Sequence, residues 1–95
     1  MKTIKISEDT LLCPTCNNTN LHQNKIITIF RDEEDKDGTE TLSQRNYTCI
    51  NRVPDADIPG RRDFAAIYFK CEHCTGDKIL HIMQHKGETT IYWKS

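Results

Sequence analysis

The chain has no long apolar segment. Its longest uninterrupted apolar run is FAAIYF, Phe64 to Phe69, far short of the ~20 residues that a membrane-crossing helix needs. The N-terminus, MKTIKISEDT, lacks the apolar stretch of a signal sequence. The expected location is therefore cytoplasmic, without membrane association. An excess of one charge is missing too: 13 Lys and Arg stand against 14 Asp and Glu. A general polyanion binder draws phosphate affinity from a basic surplus, and none exists here. Helical periodicity is also absent. Apolar residues come in short runs rich in Ile, Phe, Tyr and Thr, divided by turn residues, which is the patterning of strands.

What the chain does have is cysteine in a definite arrangement. Four of its five cysteines form two Cys-x-x-Cys pairs, CPTC at 13–16 and CEHC at 71–74. Without an export signal, this pattern favours metal over disulfides. Each pair sits on a tight turn that aims two sulfurs at one point, and two such turns facing each other supply the four ligands of a tetrahedral zinc ion. Cys13, Cys16, Cys71 and Cys74 are the expected ligands, and Zn2+ the expected cofactor. Pro14 pre-sets the first turn, while Gly76 and Asp77 lead the chain out of the second. The segment from Cys16 to Cys71 is longer than a compact ribbon allows, so the ion would tie the N-terminal arm to the centre of a sheet. A thioredoxin-like redox pair would stand beside a βαβ pattern, which is missing. An iron–sulfur cluster accepts the same four thiolates. A closed four-cysteine zinc site has no open position and does not activate water.

Five strands are expected: Lys25 to Arg31, Leu42 to Ile50, Asp63 to Lys70, Lys78 to Gln84 and Thr89 to Lys94. The third is apolar on both faces, which places it centrally. Gly87 supplies the positive φ of a tight turn between the last two. In the fourth, Ile79, His81 and Met83 share one face, and Leu80 and Ile82 the other. In the fifth, Ile91 and Trp93 point together. With 95 residues, 36% of them apolar, the whole is expected to be one mostly β domain over residues 1–95. It would be a small antiparallel sheet of about five strands with a zinc-ribbon-like four-cysteine site and one small core. Around the sheet lie an N-terminal arm (1–10), an acidic loop (32–40) and a Pro/Gly loop (52–62). The acidic loop reads as a solvated tip or as a surface for a basic partner.

Cys49 is the odd thiol. On its strand it shares a face with Tyr47, and it reads as a small buried hydrophobe; as a nucleophile it would need a histidine close in space. His22 is an alternative ligand that four thiolates make unnecessary. His73 lies within the second turn and should point away from the metal, and His81 reads as a sheet residue. Arg61 and Arg62 precede the third strand, while His85, Lys86 and Thr89 surround the last turn. Together they would form a cationic notch, with Trp93 or Tyr92 for stacking. Guanidinium pairs recognise phosphate or carboxylate. The alternative is a solvated loop in which the arginines pair with Asp55, Asp57 or Asp63.

The order CPTC and LH, FRDEED, GRRD, IYFKCEHC and ILHIMQHKGETTIYW resembles a family of short bacterial and phage zinc-ribbon proteins over most of residues 11–94. GRRD, CEHC and QHKGxT with a nearby Trp are its specific parts. Members tend to carry glycine after the first pair, where this chain has Asn17, a residue that also tolerates the left-handed conformation. The resemblance implies a zinc-ribbon fold and no established activity. Function therefore rests on the residues. A non-enzymatic module with structural zinc that docks a protein partner comes first. A nucleic-acid-binding ribbon using Arg61, Arg62, Lys86 and an aromatic is the alternative. An enzyme built on Cys49 or the histidines is third. Exposed edge strands also offer a route to a homodimer.

Overall fold

The computed structural model describes residues 4–31, 37–54, 63–85 and 87–94, His85 by its backbone alone. Eight strands follow one another: β1 (Ile6–Ser7), β2 (Thr10–Leu11), β3 (Leu21–Phe30), β4 (Asp37–Gln44), β5 (Tyr47–Pro54), β6 (Phe64–Cys71), β7 (Asp77–His85) and β8 (Glu88–Trp93). β1 and β2 pair as a small hairpin within the N-terminal arm. The other six form one sheet in the order β5-β4-β3-β6-β7-β8, antiparallel throughout. No described helix is long and apolar enough to cross a membrane.

Most expected strands are present, and β6 is central between β3 and β7. The expected strand from Leu42 to Ile50 is a correction. It is the end of β4, a turn at Arg45 and Asn46, and the start of β5. Asn46 adopts a φ of 64°, a left-handed conformation that asparagine accepts more readily than most residues. The chain therefore reverses where its apolar alternation reads straight on, and the sheet gains a sixth strand. Two expected loops are shorter than expected for the same reason: Asp37–Glu40 belongs to β4 and Arg52–Pro54 to β5. Residues 32–36 and 55–62 lie outside the described part. Gly87, at φ 80°, turns β7 into β8 as expected.

Cross-strand partners in a sheet share a face, so the register assigns every side chain. One face carries Ile29, Phe64 and Ala66, with Ile27, Tyr68, Ile79 and Met83 packed around them. The other carries Phe69, Leu80 and Trp93, flanked by Ile67 and Leu21. The expected single core is thus two small clusters on opposite sides of one sheet. Strict alternation would put Leu21 with Ile27 and Ile29. It does not, because the β3–β6 register slips between Gln23 and Lys25. Asn24 is the extra residue of this β-bulge, and a one-residue slip exchanges the faces. Leu21 consequently joins Trp93. The arm closes this second cluster from outside, with Ile4 and Leu11 packed on it. That contact brings the first cysteine pair to the end of β6.

Candidate metal centre

Two short turns place the four sulfurs. In the first, the Asn17 backbone N–H donates to the Cys13 carbonyl at 2.9 Å, and the Cys13 N–H to the Asn18 carbonyl at 2.9 Å. Asn17 reaches φ 61° to close the loop, in accord with its tolerance of that region. The second turn begins at the last residue of β6. There the His73 backbone N–H points at the Cys71 sulfur, 3.4 Å away. Gly76, at φ 88°, releases the chain into β7. The turns are tied together directly: the Glu72 N–H donates to the Asn20 carbonyl at 3.1 Å, and His22 Nε2 meets Glu72 Oε1 at 3.0 Å.

The result is a compact set of sulfurs. Cys13 Sγ is 3.5 Å from Cys74 Sγ, Cys16 Sγ is 3.5 Å from Cys71 Sγ, and Cys74 and Cys16 stand 3.8 Å apart. All four lie within 4.8 Å of one another. A tetrahedron with bonds of ~2.3 Å has edges of about 3.8 Å, so the cluster has the dimensions of a four-thiolate site. All five cysteines are free. Cys13 is fully buried and Cys71 nearly so, while Cys16 is exposed. The four can hold a metal ion.

Their proton affinities are spread apart. Burial pushes the Cys13 thiol up, but the backbone N–H groups of Cys16 and Thr15, with the sulfurs of Cys74 and Cys16, bring it down to about 6. Cys74 is pushed up to about 12, first by its hydrogen bond with Cys71 and then by burial and the remaining sulfurs. At Cys16 the Asn18 N–H pulls downward, but burial and the sulfurs of Cys71 and Cys13 raise the thiol overall. One cysteine is poised as a thiolate while others hold their protons. Metal binding removes such protons, because the thiolate is the ligand.

The remaining singled-out residues fall in different places. His73 is turned outward, its Nε2 3.1 Å from Asn20 Nδ2, and His22 is engaged by Glu72. His81 sits on β7 with Nδ1 3.1 Å from the Tyr92 hydroxyl and its ring edge-on to Phe64. Burial, with the nearby Lys94 charge, lowers its pKa. Cys49 receives a hydrogen bond from Asn51 Nδ2 at 3.4 Å. The register sets His81 four strands away from it, about 19 Å at 4.8 Å per strand, too far to act as its base.

Of the expected notch, Arg61, Arg62 and Lys86 lie outside the described residues. His85 ends β7 opposite Glu88, and its side chain lies outside as well. Trp93 is a correction. It is 1% exposed, packed edge-on against Phe69, and serves the core instead of a binding surface. The arm that covers it is what the strand pattern of Ile91 and Trp93 could not reveal. Asp63 already accepts the Arg31 backbone N–H at 3.1 Å. Sequence reasoning also missed Asn20 and Glu72, which join the two turns; their nearness to the cysteines was the available signal. In comparisons with known proteins, no family model, no curated protein and no solved structure matches this chain.

Proposed function

We propose that the chain is a small non-enzymatic zinc module, related to the short bacterial and phage zinc-ribbon proteins it resembles. Cys13, Cys16, Cys71 and Cys74 hold a structural ion, and the sheet docks a protein partner. The gathering of four sulfurs from both ends of the chain within 4.8 Å carries this reading. Soft thiolates in a tetrahedral set suit zinc, with iron–sulfur chemistry the competitor. Four protein ligands leave no position for substrate or water, which argues for a structural role. Closing the long intervening loop costs a few kcal/mol, whereas zinc-finger peptides gain an apparent ~10–16 kcal/mol on binding metal. Thiols kept free in this way belong to a reducing compartment such as the cytosol. A protein partner is favoured over nucleic acid because the overall charge is near neutral and Trp93 is buried rather than free to stack.

Elemental analysis of chelator-free protein tests the metal reading: one zinc per chain is expected. Substitution by cobalt should give the intense visible and near-ultraviolet bands of a four-thiolate tetrahedral site. Protein that folds fully with neither zinc nor another stoichiometric metal would sink it.

A further inference from the structure

We infer that the docking surface of the proposed module is the part of the Ile29 face nearest the cysteine turns, and that it takes an extended acidic segment of another protein. Tyr47, Tyr68 and Tyr92 build this surface with Lys25, Lys70 and Lys94. The inference rests on the protein-docking reading and names the surface and the chemistry of its partner.

The register gathers these residues. Tyr47, Gln44, Lys25, Tyr68 and Ile79 are successive cross-strand partners from β5 to β7. The Lys94 N–H donates to the Ile79 carbonyl at 2.9 Å, which carries the row on to the end of β8. Tyr92 and Lys70 each stand two residues along from a member of this row, so alternation puts them on the same face. All three tyrosines of the chain therefore share one side of the sheet, while the arm packs on the other. Tyr47 is 54% exposed, and Lys70 and Lys94 are exposed as well.

Charge on this surface is one-sided. Neither the row of Lys25 nor the next, from Cys49 to Tyr92, contains an acid. The nearest carboxylates on this face are Asp77, opposite Lys70 at the end of the sheet, and Glu40, a further row away. Glu72 is engaged by His22. Among the described residues, none of the three lysines is ion-paired. Three ammonium groups against one aspartate select an acidic partner. The spacing suits an extended one. Lys25 and Lys94 stand three strand spacings apart, about 14 Å, and residues i and i+4 of an extended chain point the same way at about 14 Å. A segment laid across the strands can thus offer one carboxylate to each, with Tyr68 beneath its middle. Tyrosine supplies contact area at little cost in entropy.

Cations among aromatic rings also serve single-stranded nucleic acid, whose bases stack on open rings. Here the rings are engaged. The Lys25 ammonium lies over Tyr68, 4.1 Å from the ring centroid. Tyr92 packs edge-on with His81, and its hydroxyl donates to the Met83 sulfur at 3.2 Å. That leaves Tyr47, and one ring is no platform for successive bases.

NMR titration of isotope-labelled, zinc-loaded protein tests the assignment at about 50 mM salt, where screening is weak. The probe is an eight-residue peptide of alternating serine and glutamate, capped at both ends. Saturable shifts should concentrate at Tyr47, Tyr68, Tyr92 and the three lysines. Lys94→Glu should weaken binding about fivefold or more and Lys25→Gln about threefold. Arg52→Glu, exposed on the opposite face, makes the same change in net charge as Lys94→Glu and should not matter. No saturable shift up to about 1 mM peptide overturns the proposal. So does an Arg52→Glu variant as weak as Lys94→Glu, or an eight-base thymidine oligomer that binds these residues more tightly than the peptide. Zinc is assayed on the same samples. A metal-free chain sinks the metal reading, while zinc-loaded protein that ignores the peptide sinks only this surface and leaves docking elsewhere on the sheet.

Discussion

The sulfur of Cys13 lies 3.5 Å from that of Cys74, 61 positions further along the chain. Between them run β3 to β6, so this contact joins the arm that covers Trp93 to the turn that launches β7. The same contact shapes the consequences of removing metal or either sulfur.

Chelation should unfold the arm first and loosen the sheet with it. Cys13→Ser or Cys71→Ser takes away a buried ligand and should abolish stoichiometric zinc and cooperative melting. Zinc-finger peptides lose an apparent ~10–16 kcal/mol without metal, more than a domain this size holds in reserve. Circular dichroism melts with and without chelator check this; an unchanged melt in both would refute it.

Zinc affinity should rise with pH. Cys74 at about 12 and the raised Cys16 hold their protons at pH 7, whereas Cys13 at about 6 has lost most of its own. Binding at pH 7 therefore expels at least two protons. Below pH 6, where Cys13 regains its proton, about one more should appear. Calorimetric titrations in buffers of different ionisation enthalpy count these protons directly. A count that fell on acidification would contradict the assignment.

Trp93→Ala should destabilise by about 3–5 kcal/mol through the cavity left under the arm. The indole Nε1 is buried without a partner among the described residues. Trp93→Phe removes that unpaired group as well as some volume and should cost less than about 2 kcal/mol. Urea unfolding of the zinc-loaded variants gives both values. Equal losses would mean that the nitrogen has a partner.

Deleting Asn24 should be worse than mutating it. Asn24 is exposed, so Asn24→Ala leaves the register and stability nearly unchanged. Deletion restores plain alternation and swings Leu21 away from Phe69 and Trp93. The loss is about 1.5–3 kcal/mol for the side chain alone, and the Asn20 and Glu72 link between the turns goes with it. Melting temperature and zinc retention of the two variants should differ sharply.

How far the sequence reached is visible in individual residues. The cysteine pairs, the central position of β6 and the turn at Gly87 could be read because each follows from local chemistry: ligand spacing, an apolar run on both faces, a positive φ. The turn at Asn46 was missed because LSQRNYTCI alternates well enough for one strand, and asparagine is a weaker mark of reversal than glycine. The bulge at Asn24 carries no local mark at all, since it exists only relative to β6. Ile91 and Trp93 share a face as expected, yet one is exposed and the other buried. Only the placement of Ile4 and Leu11 decides which, and that is a contact between distant parts of the chain.

Cys16 and Cys71 stand 55 positions apart, which matters while the chain is being made. At about 5–20 residues per second, the ribosome leaves the first pair waiting roughly 3–11 s for the second. Through that interval the nascent chain offers only Cys13 and Cys16 of the four clustered cysteines, so β3 to β5 are synthesised while the site is incomplete. An ion held by all four cysteines, as proposed, would therefore complete the fold instead of seeding it, and metal scarcity would be felt late in biogenesis, after most of the strands have been synthesised.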